Sequence, residues 1–194
     1  MQKLNFRTLL LVLVSIYCLS ACVPVLLVAA GATVGGALVY DKRGAKTIAQ
    51  DRDIASNLLK EINNDAQLKQ QTHITIAVFN NLMLVAGQAS TDELRNRVYQ
   101  MANNTPNLKR VYNEVTIEPP TSAGVQTNDG WITTKVKSAM LAEKGLNSSQ
   151  IKVVTEKKVV YLMGVVTHKQ ADLAANVASS VSGVAKVVRI FEYE

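Results

Sequence analysis

The sequence predicts an α+β protein: two tandem αββαβ domains, each a three-stranded mixed sheet packed against two helices, behind an export signal and an apolar tether. Three observations lead there. The chain opens on a charged and then apolar segment that ends at a cysteine. The remainder of the chain divides into two units whose helix and strand patterns recur at a nearly constant offset. A stretch of linker composition, Pro119-Pro120-Thr121-Ser122-Ala123-Gly124, separates the two units.

The first element is a signal peptide. Met1–Arg7 carries Lys3 and Arg7, and Thr8–Tyr17 is an apolar run of the length an export signal uses. Leu19-Ser20-Ala21-Cys22 comes next, with small residues immediately before the cysteine. The pattern resembles a lipobox, which implies cleavage after Ala21, so that residues 1–21 form a lipoprotein signal peptide and Cys22 carries the lipid. Val23 rather than Asp next to Cys22 resembles the default address of the outer membrane. Several acyl chains on one residue anchor firmly where a single chain does not. Residues 22–47 are then the lipidated N-terminus and tether. Within it, 23–40 is apolar and contains Gly31, Gly35 and Gly36, a composition that also suits a membrane span with close-packing glycines; after a lipidated cysteine a membrane-proximal tether is the simpler expectation.

The opening helices come next. Ile54, Leu58 and Ile62 recur at helical spacing, as do Ile132, Val136 and Met140, 78 positions later. Each helix precedes two β-rich apolar runs, 74–79 with 82–86 and 151–155 with 159–163. Asn80-Asn81 and Lys157-Lys158 sit at the hairpin tips, and Gly87 and Gly164 are expected to close the second strands, where glycine lets the chain leave the sheet. Ser90 with Glu93 and Thr167 with Gln170 read as capping boxes for the second helices. Turn signals at Thr105-Pro106-Asn107 and Ser182-Gly183 precede the last strands, 108–117 and 184–193. The domains are thus 48–118 and 128–194, joined by a linker at 119–127 that permits relative motion unless the domains pack together.

Composition narrows the function. The net charge of +6 falls to +4 without Lys3 and Arg7, which is too small for a nucleic-acid footprint. Residues 48–118 carry −1 (seven basic, eight acidic) and residues 128–194 carry +3 (nine basic, six acidic). Cys18 and Cys22 lie four residues apart in apolar sequence and support neither a disulfide framework nor a metal site. His73 reads as the exposed start of a strand and His168 as the first residue of a helix beside Thr167; neither has a visible nucleophile or carboxylate partner. Asp51, Asp53, Glu61 and Asp65 read as a solvated acidic helix face, without the oxygen-rich loop spacing of a calcium site. No enzyme activity, cofactor or metal is expected.

The αββαβ order, the strand-ending glycines and the phrase Ser182-Gly183-Val184-Ala185-Lys186-Val187 resemble the BON domain of exported bacterial proteins. Residues 128–138 (NDGWITTKVKS) and 161–167 (YLMGVVT) are similar to dual-BON outer-membrane lipoproteins. The resemblance spans about residues 48–194, sharper in the second unit than in the first. It implies a protein of the periplasmic face of the outer membrane, phospholipid binding, and support of outer-membrane integrity at the division site.

The residues themselves suggest where lipid would be met. Around the helix that carries Ile132 and Val136, Trp131 and Leu141 point away from the buried stripe, beside Thr134, Lys135, Lys137 and Ser138. An outward indole and leucine among ammonium groups suit the interface of an anionic phospholipid membrane. The first domain's helix instead presents Asp53, Ser56, Asn57 and Lys60. The bland alternative places Trp131 in a groove between domains and leaves the lysines as a solvated face. The KH nucleic-acid module is excluded, because its GxxG clamp is missing. The functional rival is a protein-binding module whose partner is an envelope enzyme or assembly machine.

Overall fold

A computed structural model describes residues 44–194. The signal peptide, Cys22 and the apolar segment 23–40 lie outside the described residues. Helix α1 spans Ala45–Asn64 and buries Leu58 and Ile62 on its inner face. It stops at Asp65, whose extended backbone breaks the helix while its carboxylate accepts N–H bonds from Gln67 and Leu68, both at 3.0 Å. That cap starts a six-residue helix not expected from the sequence, α2 (Ala66–Gln71), which seats Leu68 in the core. Strands β1 (Thr72–Phe79) and β2 (Leu82–Ala89) form a hairpin, α3 (Asp92–Asn103) crosses over, and β3 (Arg110–Ile117) returns parallel to β2.

The second domain repeats the plan: α4 (Ala123–Ala142), a 3₁₀ turn at Ser148–Gln150, β4 (Ile151–Glu156), β5 (Val159–Val166), α5 (His168–Ser179) and β6 (Lys186–Tyr193). Each sheet is mixed, with order β1-β2-β3 or β4-β5-β6. Helix α4 begins at Ala123, so most of the segment expected as linker is helical, and the non-helical connection shortens to residues 118–122.

The two sheets stack on their helix-free faces. Along β2, Met83 and Val85 point into the core under α1 and α3, while Leu84 and Ala86 point the other way, against Tyr161, Met163 and Ile190 of the second domain. Strands β2 and β5 are therefore apolar on both faces, as central strands covered on two sides must be. Leu84, Met163 and Ile190 are at most 1% exposed; burying side chains of this size stabilises by about 1.5–3 kcal/mol each. The domains are consequently held as one packed unit. Residues 44–194 contain three apolar cores, one under the helices of each domain and one between the sheets. Polar contacts rim the seam: Glu192 accepts from Lys109 and Asn80, and Lys157 is paired with Glu118, so each hairpin tip reaches the other domain's last strand or the residue after β3.

Several local expectations change. Asp51 is not solvated. It is 3% exposed and accepts the backbone N–H of Asn80 (2.7 Å) and Asn81 (3.0 Å). Asp129 does the same in the second domain for Lys157 (2.6 Å) and Lys158 (2.9 Å). All four tip residues have positive φ, so a buried carboxylate at the start of each domain clamps a left-handed turn. Gly87 and Gly164 lie inside β2 and β5 rather than closing them. A Cβ at Gly87 would fall 1.9 Å from the His73 carbonyl oxygen, and one at Gly164 would fall 2.6 Å from that of Gln150, so the close approach of the neighbouring strand demands the glycines. The cap of α3 is Thr91, accepting from Leu94 N–H, while the Ser90 hydroxyl donates to the Gln71 carbonyl. Thr167 caps α5 as expected, but the Gln170 carboxamide turns to Gly145 and Asn147.

Candidate functional site

Helix α4 buries Asp129, Ile132, Val136 and Met140, a stripe at i, i+3, i+7 and i+11. The opposite surface is open, and all six residues expected to contact lipid are exposed or partly exposed. Trp131, Thr134, Lys135 and Ser138 fall at i, i+3, i+4, i+7 spacing and share one face. Lys137 and Leu141 occupy the adjoining face, and Leu141 lies about 15 Å along the axis from Trp131 at 1.5 Å per residue. The six residues thus form an elongated strip with one apolar group near each end. Trp131 is 66% and Leu141 68% exposed, the highest values among the large exposed hydrophobics of the described residues. The alternative of a tryptophan packed between domains is thereby overturned.

The cations are not equivalent. Lys135 Nζ donates to the carbonyl of Ser182, in the loop between α5 and β6. Gly183 in that loop sits against Ile132, where an added Cβ would come within 3.3 Å of the side chain. The Ser182-Gly183 phrase therefore forms a ridge beside the tryptophan face, a neighbourhood that chain order does not reveal. Lys137 makes no hydrogen bond or ion pair among the described residues. The Thr134 hydroxyl donates to the Gly130 carbonyl within the helix, at 3.0 Å. Cys22, the expected lipid attachment point, lies outside the described residues.

The inner end of α4 borders the seam between domains. Glu156 is 6% exposed and accepts from Gln88 Nε2 and Thr75 Oγ1 of the first domain, each at 3.0 Å. His73 Nε2 stands 3.6 Å from the same carboxylate, and its Nδ1 lies 3.4 Å from Gln126 Nε2 on α4. His73 is thus a half-buried member of the seam, not an exposed strand start. Its hydrogen bond to Glu156 raises its pKa against the opposing effect of burial. Burial pushes the Glu156 carboxyl up, but bonds from His73, Gln88 and Thr75 outweigh this and leave it below the usual value. His168 opens α5, as expected, and stacks on Tyr193 with ring centroids 3.9 Å apart. Among the described residues no His, Cys, Asp and Glu cluster could hold a metal, and no helix is long and apolar enough to cross a membrane.

Two αββαβ units of this kind define the class. The BON domain family matches residues 50–119 and again 128–194, and the chain belongs to it, in two tandem copies. It is 31% identical over 175 residues to the outer membrane lipoprotein DolP of Haemophilus influenzae, covering 90% of each chain. It is 33% identical over 153 residues to the 21 kDa hemolysin of Actinobacillus pleuropneumoniae, covering 79% of each. Among solved structures, the C-terminal domain of CdsD, a structural protein of the type III secretion system of Chlamydia trachomatis, is 13% identical, covering 74% of this chain and 67% of that one, with a TM-score of 0.29. The names of the first two relatives are those of a lipoprotein and a hemolysin, not of enzymes.

Proposed function

We propose that the protein is a non-catalytic lipid-binding module: acylated at Cys22, it engages anionic phospholipid through the outer face of α4 and so supports the integrity of the outer membrane, including at the division site. The exposure of Trp131 and Leu141 carries this reading. An indole held in water beside lysines loses little by staying solvated at its N–H and gains by entering the headgroup level. The surplus of basic residues in the second domain adds long-range attraction to a negative leaflet.

The test is sedimentation of residues 44–194 with vesicles of phosphatidylglycerol and phosphatidylethanolamine, against vesicles of phosphatidylcholine alone. Binding to the anionic vesicles is expected to weaken as salt rises and to fall at least about tenfold, or 1.4 kcal/mol, with Trp131→Glu. Equal binding by the Trp131→Glu variant would remove the proposal.

A second reading rests on a groove of about 440 Å³ between α1 and α3, floored by Ile54, Leu58 and Met101. It suits a protein partner, an envelope enzyme or assembly machine, with lipid only as the anchor. Under that reading the fragment ignores vesicles, and a specific partner co-purifies in a manner that depends on the groove.

A further inference from the structure

At the seam between the domains a cleft of about 390 Å³ opens between β1, β4 and the first half of α4. That volume falls in the range of small-molecule sites, about 300–1,000 Å³. The lining is polar and acidic. Glu156 and Asp129, both buried, meet there with Thr75, Thr133 and Thr155, and among the described residues no Lys or Arg lines the cleft. His73 is the one lining residue able to carry a positive charge. We propose that this cleft binds the primary ammonium group of a small aliphatic amine, a diamine or polyamine, with Glu156 and the hydroxyls of Thr75 and Thr133 accepting its N–H bonds. The inference does not rest on the lipid-binding reading of α4.

The internal repeat points to this occupant. Ile74 pairs with Gly87 and Ile151 with Gly164, so β1 and β4 correspond at an offset of 77. Thr75 therefore corresponds to Lys152. Lys152 crosses the seam and donates from Nζ to the Val78 carbonyl at 3.2 Å, while Thr75 crosses from the other side to Glu156 at 3.0 Å. The repeat relates the two crossings, and the second has a short hydroxyl where the first has an ammonium. The rest of the lining diverges in the same sense: Glu156 corresponds to the buried Phe79, Thr155 to Val78 and, at the helix offset of 78, Thr133 to Ala55. One end of the seam is thus apolar and bridged by its own lysine; the other is polar, holds an extra carboxylate and ends on a threonine. Glu156 itself is met by the neutral Gln88 and Thr75 and by the half-buried imidazole of His73, 3.6 Å away. A full cation would compensate such a buried carboxylate further. An ammonium offers three N–H donors to one carboxylate and two hydroxyls. A phosphate on the ligand would be repelled by Glu156 and Asp129.

The test uses residues 44–194, which contain the three apolar cores, with methyl-labelled Thr and Val. Putrescine and spermidine are titrated at pH 8 and constant ionic strength, alongside tetramethylammonium, magnesium chloride and glycerophosphoethanolamine. Saturable shifts of the Thr75, Thr133, Thr155 and Val154 methyls are expected with the two amines, and binding at least tenfold weaker with the other three probes. The titratable groups lining the cleft are His73, Asp129 and Glu156. His73, with its pKa raised above 6.5, is mostly protonated at pH 6 and should weaken amine binding there by competing for Glu156. Thr75→Lys, which copies Lys152 into the cleft, should abolish binding, and Thr133→Leu, which fills the cleft from α4, should weaken it at least tenfold; unchanged valine methyl spectra of the two domain cores check folding. Unmoved methyls with both amines overturn the proposal. So does equal binding of any of the other three probes, which would show charge attraction without the N–H bonds. Folded Thr75→Lys and Thr133→Leu proteins that bind putrescine as tightly as the unaltered chain would place the amine elsewhere and overturn it as well.

Discussion

The first helices of the two domains carry the same buried plan and opposite outer faces. Inside, Asp51, Leu58 and Ile62 of α1 match Asp129, Val136 and Met140 of α4, down to the carboxylate that clamps each hairpin. Outside, Asp53 faces Trp131 across the repeat, Asn57 faces Lys135 and Asn63 faces Leu141. Positions under packing constraint share their chemistry, and positions in water differ. A duplicated fold can therefore keep one packing plan while the outer faces of its two copies diverge. The face-to-face stacking of the sheets joins the two copies through an apolar cluster that includes Leu84, Met163 and Ile190.

The largest expected effect tests the shared plan. Gly87→Ala places a Cβ 1.9 Å from the His73 carbonyl oxygen at a backbone φ of +129°, and should cost more than about 3 kcal/mol, enough to lower soluble yield. Gly164→Ala meets Gln150 at 2.6 Å without a positive φ, and a smaller loss of about 1–3 kcal/mol is expected in chemical denaturation. Equal costs at the two sites would break the comparison there. Next come the clamps. Asp129→Ala and Asp51→Ala each leave two hairpin N–H groups without their acceptor, and losses of about 2–3 kcal/mol, similar in the two domains, should appear in urea melts.

The divergent face gives smaller effects. Grafting the second domain's apolar pair onto the first, as Asp53→Trp with Asn63→Leu, should raise affinity for anionic vesicles several-fold and restore part of what Trp131→Glu loses. No gain would mean that the neighbouring ridge, not the apolar pair, decides lipid contact. The smallest effect concerns the seam. His73, with its raised pKa, stabilises fully below about pH 6.5 and loses its contribution as pH rises through its folded value. Glu156, with its lowered pKa, contributes fully above about pH 4.5 and loses this as pH falls through its folded value. Their link is therefore strongest between about pH 4.5 and 6.5. In urea melts His73→Ala should destabilise the protein more at pH 5.5 than at pH 8, by less than about 1 kcal/mol because His73 remains partly solvated. A pH-independent difference would show that the imidazole only fills space.

Much of this is legible in the chain alone. Helical spacing places Leu58, Ile62, Val136 and Met140 inside, and Trp131 and Leu141 outside, because a helix has one period and the buried stripe fixes all other directions. Two strong signals mislead when taken locally. Asp51 and Asp129, each well inside its helix, look like solvated charges when taken locally, since their partner N–H groups lie 28 to 30 residues away at the hairpin. The runs 82–86 and 159–163 are apolar on both faces, which states that something covers them twice but not what does so.

The sequence by itself determined the repeat, the order of elements, the family and the outward aim of the α4 side chains, all of which depend on residues close together in the chain. Tertiary structure alone decided that the sheets stack through Leu84, Met163 and Ile190, that His73 meets Glu156, and that Thr75, Thr133 and Glu156 line one cleft. Those are matches between surfaces far apart in sequence, and their fit depends on shape and distance in space, which no single segment encodes.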